Sequence, residues 1–480
     1  MEIVFILFEY FVFFYASLIV IFYMMLGFLS IKKIISYKTY NSKKDEEFIL
    51  HSPLTPGISV VAPAYNEEVS IISNVHSLLS LIYPVFEVII INDGSKDKTL
   101  ELLIEEFELI ETPYAYIEKI KTKPFKRIFK STNPKYTALV IVDKENGGTK
   151  ADASNAGVNV AQYPYFLCTD VDCILNRETL SKMIKPILNS NTNVIAVGAA
   201  LRMSNSCDVD SGVIKQVKPP RALIPRFQEV EYIRAYLFSK MGWSEINCIP
   251  NISGGLGLFN TDIAIKSGGY DSESHAEDMD LLTKMTVFKI NNNQDYKVEY
   301  IPISCCWTEG PPNLKILMNQ RVRWATGLAQ IFRVHKRVML NKRYGRLGLV
   351  TFPFAWTFEF LAPIVELLGV IYFIFLIIKG DVNWIMAKYI FFYSYTFSIM
   401  IGTMAILLDN YVEKHYRTKY EVLKLWFIIL LEPFIYHPLL IFFSIKGYFN
   451  FFTSRKMEWG TMTRQGVNTK EQKSNTNLES

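Results

Sequence analysis

The stretch FEVIIINDGSKDKTLELL, residues 86–103, decides how this chain is read. Phe86 to Ile91 is a short apolar run rich in β-branched residues, the composition of a buried strand. Asn92-Asp93-Gly94-Ser95 breaks it with turn-forming residues, and a helix is predicted from Thr99. The same grammar recurs on both sides. Upstream, ISVVAP (58–63) reads as a strand and Glu67 to Leu81 as a helix. Downstream, ALVIVD (138–143) precedes a helix from Ala151 to Gln162, and YFLCTD (165–170) ends in acidic residues. Strands alternating with helices predict an α/β, doubly wound, Rossmann-like parallel sheet whose ligand lies beyond the carboxyl ends of its strands.

Composition places this sheet in a membrane setting. Of 480 residues, 50% are hydrophobic, 14% aromatic and only 20% charged. That excludes intrinsic disorder and a small disulfide scaffold. The apolar excess is concentrated at the two ends. Residues 1–31 read as a retained N-terminal transmembrane helix, because no small-residue cleavage site follows the run. Lys32, Lys33, Lys38, Lys43 and Lys44 come next, in a basic linker over 32–56. Positive flanks stay inside, so the N-terminus is expected outside and the α/β domain, 57–312, in the cytosol, in a multi-pass protein of the cell (inner or plasma) membrane. Residues 313–346 read as basic amphipathic helices on the membrane surface. Apolar runs at 347–378, 385–409 and 423–446 fill a transmembrane and interfacial region, 347–449. Glu432, Pro433, His437 and Pro438 predict that the last run crosses partway or turns into the interface. Residues 450–480 form a cytosolic tail, its last 16 residues expected to be disordered. No internal repeat is present.

The net charge is +5, from 51 basic and 46 acidic residues, which suits loops beside anionic lipid better than nucleic acid. The basic run over 119–135 reads as a solvated or membrane-facing loop. Six cysteines without CxxC spacing are expected to be free thiols in the cytosol. No GxGxxG or P-loop supports NAD or ATP chemistry.

Four clusters carry the chemistry. Asp93, at a strand end, is either a plain turn residue or an acceptor for a base or ribose. Asp170-Val171-Asp172 offers two carboxylates after a strand, a pattern suited to a hard divalent cation, Mg²⁺ or Mn²⁺, that neutralises a departing nucleoside diphosphate. Glu277-Asp278 opens a helix and is either ordinary capping or a general base. Gln320, Arg323 and Trp324 lie on the basic helix; the arginine is suited to a diphosphate and the indole to a sugar ring, or both mark a membrane interface.

Taken in order, D, DxD, ED and QxxRW resemble the signature of the processive, membrane-embedded glycosyltransferases of family 2, which include cellulose, chitin, hyaluronan and poly-N-acetylglucosamine synthases. The resemblance covers about residues 55–330, and the segments Gln228–Tyr232, Ser253–Phe259 and Trp459–Arg464 also suit it. It implies a GT-A catalytic domain and an inverting transfer from a UDP-sugar onto a β-linked polysaccharide, with a non-processive transfer to a glycolipid as the alternative. Membrane lipids and accessory export subunits are the implied partners. Ala62, Tyr65, Glu67 and Asp93 would hold the uridine. Lys150 and Asp152 would contact the nucleotide sugar and its phosphates, and Asp170 and Asp172 the sugar-nucleotide and the metal. Asp278, beside Glu277, would be the base, and Gln320, Arg323 and Trp324 would close over the diphosphate and acceptor sugar. Ala276 departs from the residue usual before this ED pair, and Ser253-Gly254-Gly255 departs from the cellulose synthase pattern.

Overall fold

The computed structural model describes residues 2–40, 48–210 and 212–453. A ten-stranded sheet forms the centre, in the order β3-β4-β5-β2-β1-β6-β11-β8-β12-β7. The predicted alternation supplies its core: β1 (Ile58–Ala64), β2 (Phe86–Asn92), β5 (Leu139–Lys144) and β6 (Tyr165–Thr169), separated by α2 (Ile71–Leu79), α3 (Thr99–Glu106) and α4 (Lys150–Val160). These four strands run parallel.

The sheet as a whole is mixed, which corrects the wholly parallel expectation. β3 (Leu109–Glu111) and β4 (Phe125–Ser131) extend it antiparallel beside β5. The link from β4 to β5 is too short for the crossover that a parallel neighbour needs. β4 also replaces part of the predicted basic loop. β3 covers only its far end, Phe129–Ser131, so Lys126 and Arg127 stand on an open edge, where charge discourages pairing with another chain. β11 (Leu256–Asn260) enters antiparallel between β6 and β8 (Val194–Met203), and β12 (Lys297–Thr308) pairs β8 in parallel and β7 (Ile174–Leu175) antiparallel.

The β8 and β12 side of the sheet carries the apolar helices. α6 (Leu223–Ile233) widens into a π-helical turn, Arg234–Lys240, and continues as α7 (Met241–Glu245). α1 (Glu2–Tyr40) docks there and does not end near residue 31. Its basic segment stays helical because each charge finds a partner: Lys32 pairs with Glu245 at 2.8 Å, Lys33 with Glu299 at 2.9 Å, and Lys38 donates to the Tyr411 carbonyl. Lys43 and Lys44 lie outside the described residues, as does the tail from residue 454.

Beyond β12 come α8 (Leu314–Val334), α9 (Ala362–Lys379), α10 (Trp384–Val412) and α11 (Lys419–Phe452). Among the described residues, four segments are long and apolar enough to cross a membrane: Ile6–Thr39, Leu347–Lys379, Trp384–Val412 and Lys419–Phe452. The last does not turn at its prolines; α11 is one helix of 34 residues through Pro433 and Pro438. Its polar groups are matched, Glu432 by Arg234 at 2.5 and 2.8 Å and His437 by Glu366 at 2.7 Å. A second lock holds the α10–α11 connection to the sheet: Arg202 of β8 pairs with Glu229 at 2.8 Å and with Asp409, and Tyr416 donates to Glu229 at 2.7 Å. All six cysteines are buried free thiols.

Candidate active site

The in-register ends of β1, β2 and β5 place Ala64, Asn92 and Asp143 level, so the loops that follow emerge side by side. They are laced together by Asn66 N to Ser95 Oγ (3.0 Å), Lys96 N to Asn66 Oδ1 (2.8 Å) and Glu67 N to Thr99 Oγ1 (2.8 Å). Asn66 adopts φ +56°, a left-handed conformation that a short polar side chain tolerates. Tyr65 is 40% exposed on this edge, and Ala62 is fully buried within β1. Glu67 accepts from Ser70 at 3.2 Å.

Asp93 is buried, and its Oδ1 accepts from Lys144 Nζ at 2.6 Å and from the Gly147 amide at 3.0 Å. Lys144 is wholly buried and also pairs with Asp152 at 2.6 Å. The other Asp152 oxygen accepts the Lys123 amide at 3.1 Å. Asp152 is therefore engaged by protein groups on both oxygens, Lys144 on one and the Lys123 amide on the other. Sequence reading passed over Lys144; its only signal is a lysine closing a buried strand just before Asn146-Gly147-Gly148.

The centre of the site is the turn Ser253-Gly254-Gly255 before β11. Lys150, the first residue of α4, donates to the Gly254 carbonyl at 2.6 Å and pairs with Asp170. A side chain on Gly254 would come within 3.7 Å of Glu277 Oε1, 3.8 Å of Lys150 Nζ and 3.9 Å of Asp278 Cβ. The strand-end carboxylates and the helix-start carboxylates, distant in sequence, thus meet around one backbone turn. Burial opposes the charge of Lys150, but Asp170 first, then Cys168 and Glu277, outweigh it and hold the ammonium above its usual range. Burial, and after it the charge of Asp278, the next residue on the helix Glu277–Asn291, pushes Glu277 up, with Arg323 and Lys150 opposing.

A second wall of the site is built by α8. Gln320 accepts from the Gln228 amide at 3.0 Å. Arg321 grips both oxygens of Glu231 at 2.6 Å, meets Tyr436 of α11 at 2.9 Å, and lies 4.4 Å from the Trp324 ring centroid. Trp324 is thus held against a guanidinium that is itself fixed by two other helices. Arg323 lies near the Glu277-Asp278 helix start, where its charge lowers both Glu277 and His275. Gly327 lets α8 approach closely: a side chain there would meet the Ala276 amide nitrogen at 2.9 Å. His335, just past α8, bonds Asp280 at 2.7 Å. Lys240, on the π turn, is buried and pushed down to about 8 by that burial, against the charges of Asp278 and Glu359. Arg321 and Lys240 are residues that sequence reading missed, because an arginine inside QxxRW and a lysine inside an apolar run carry no spacing signal of their own.

Asp170, Asp172 and Cys173 present ligand atoms within 4.8 Å of one another, a donor set of the right number and charge for a divalent cation.

Comparison with known proteins shows the family. Residues 59–207 match glycosyl transferase family 2, and residues 232–406 match glycosyl transferase family group 2. A poly-beta-1,6-N-acetyl-D-glucosamine synthase of Staphylococcus epidermidis is 30% identical over 369 residues, 75% of this chain and 76% of that protein. One from Staphylococcus aureus (strain COL) is 27% identical over 271 residues, 56% of this chain and 54% of that protein. Among solved structures, a mannosyltransferase from Pyrobaculum calidifontis in complex with GDP-Man and Mn²⁺ superposes with a TM-score of 0.49 at 17% identity, over 90% of this chain and 100% of that one. The chain belongs to glycosyl transferase family 2. It is a glycosyltransferase with a GT-A-like mixed sheet and several helices apolar enough to span a membrane.

Proposed function

We propose that this glycosyltransferase moves N-acetylglucosamine from UDP-N-acetylglucosamine onto the growing end of a β-linked polysaccharide, with inversion at the anomeric carbon. The observation that carries the reading is the meeting of Lys150, Asp170, Glu277 and Asp278 around Gly254. The synthases of Staphylococcus epidermidis supply the sugar and the polymer class. Asp93, Tyr65 and Glu67 line the edge that takes the uridine. Asp170 and Asp172 would hold a divalent cation, which neutralises diphosphate charge when bound. Asp278 takes the proton of the acceptor hydroxyl, whose oxygen attacks the anomeric carbon as UDP departs from the opposite face. Lys150 and Arg323 face the developing diphosphate charge. Trp324 carries the acceptor sugar.

The orientation follows from charge: N-terminus outside and catalytic domain in the cytosol. α11 contacts catalytic elements along its length, from Tyr416 just before it to the Gly447 carbonyl, which accepts from Thr326 of α8 at 3.0 Å. We therefore place α11 along the cytosolic interface, which leaves the basic ends on both sides of it in the cytosol.

A cavity of about 310 Å³ lined by Phe227, Leu314, Tyr436 and Leu439 favours a second reading, transfer of a single sugar to a lipid acceptor. One experiment separates them. The protein in lipid nanodiscs is offered a panel of UDP-sugars, and UDP release and product length are measured with and without chelator. Long products from UDP-N-acetylglucosamine, lost in chelator, are expected. A single addition to lipid at any donor excess establishes the second reading, and release from no UDP-sugar overturns both.

A further inference from the structure

The two carboxylates at the end of β6 are followed at once by a thiol, and the backbone folds that thiol back beside them. The Cys173 amide donates to the Asp170 carbonyl at 3.0 Å, closing a tight turn. A side chain on Gly255 would lie 3.1 Å from Leu201 Cδ2 and 3.7 Å from both Asp170 Oδ2 and Cys173 Sγ, so carboxylate and sulfur border the same small space, with Leu201 on its apolar side. That space exists because residue 255 is glycine. Behind it, the Cys306 thiol donates to the Gly255 carbonyl at 3.8 Å, which backs the turn from the β12 side. Among the described residues, Asp170, Asp172 and Cys173 form the one group of three such ligand atoms within 4.8 Å of one another.

Sulfur changes what such a group prefers. Mg²⁺ takes oxygen ligands and holds its waters tightly, whereas transition ions and Cd²⁺ accept a thiolate. We propose that Cys173 is the third protein ligand of the cation held by Asp170 and Asp172, and that it biases the site toward Mn²⁺ and softer ions over Mg²⁺. The proposal rests on the reading that a divalent cation binds the aspartate pair. It assigns to Cys173 a part in metal choice that the DxD pattern does not contain.

Co²⁺ tests it without any turnover. Full-length protein in nanodiscs is titrated with Co²⁺ in the absence of donor, and the near-ultraviolet sulfur-to-cobalt charge-transfer band is recorded. Wild type is expected to show the band, and Cys173→Ser and Asp172→Ala to lack it. Cys306→Ser is expected to keep it. Cd²⁺ affinity in Cys173→Ser should fall at least about tenfold, the loss that even supporting groups of metal sites produce, while Mg²⁺ affinity changes little. Wild-type Co²⁺ binding without the band overturns the role of Cys173 and leaves the aspartate site standing. Absence of Co²⁺ binding, or binding that Asp172→Ala does not weaken, overturns the metal reading itself. The wild-type spectrum carries the test even where Cys173→Ser does not fold.

Discussion

The two sides of the site, proposed to take donor and acceptor, are fixed in different ways. On the donor side, Asp93 is held by Lys144 and Gly147, 51 and 54 residues away, at the ends of adjacent strands. On the acceptor side, Trp324 depends on Arg321, which reaches Glu231 and Tyr436, 90 and 115 residues away on other helices. Strand ends are positioned by backbone register, so the donor side inherits its geometry from the sheet. Helix faces are positioned by side-chain packing, and one of those helices is apolar enough to lie in lipid. The acceptor side should therefore respond to bilayer composition while nucleotide affinity does not.

Five substitutions would break or sharpen this contrast. The largest effect is expected from Asp278→Asn. Removing a general base costs about 10²–10⁴ in turnover, while UDP affinity, a donor-side property, holds. Normal turnover in this variant would remove Asp278 from the mechanism. Next comes Lys144→Met, which leaves Asp93 and Asp152 without their buried cation. Breaking a buried pair from one side costs about 3–5 kcal/mol, so thermal unfolding should shift down strongly and UDP binding should be lost. Retention of both would show that the donor side does not depend on this lysine.

Trp324→Ala probes the other side with a smaller loss, roughly 0.5–2 kcal/mol for an aromatic contact. Product length should shorten more than the first transfer slows, with UDP release persisting. Arg323→Ala serves as the control, lowering length and release together. Equal shortening in both variants would erase the distinction between stacking and diphosphate contact.

The smallest effect concerns pH. Glu277 is held above its ordinary value of 4.5 by burial and by Asp278. The folded chain then keeps a proton that the unfolded chain has released, so stability falls as pH rises above that ordinary value and stays low beyond the raised one. Glu277→Gln removes this cost. The variant should melt higher than wild type near neutral pH and alike near the acid end of the window. A gap between the two melting curves that does not change with pH would refute this account of Glu277.

Much of the sheet beneath the site was legible in the sequence. The strands over 58–64, 86–92, 139–144 and 165–169 lie within a residue or so of the predicted runs, because short apolar stretches bounded by turn formers have few alternatives. The helix start at Glu277 was legible too. The antiparallel entries of β4 and β11 were not, since alternation implies crossovers but does not say which strands lack them. Lys144 went unread in the sequence; the two carboxylates that converge on it make its burial tolerable. Asp152 reads as a ligand-facing acid, and the fold turns it inward onto that lysine.

The contrast is sharpest at the membrane. Residues 1–31 and the three later apolar runs announced themselves by composition, because partition into lipid depends on local hydropathy summed over about 20 residues. Where α1 ends and whether α11 bends were decided elsewhere. Lys32 and Lys33 stay helical because Glu245 and Glu299 stand opposite them, and Glu432 and His437 are tolerated because Arg234 and Glu366 meet them. Apolar length is a property of a segment and can be read from it. The neutralisation of a charge is a property of a pair, and the partners here come from separate parts of the chain, so only the tertiary structure brings them together.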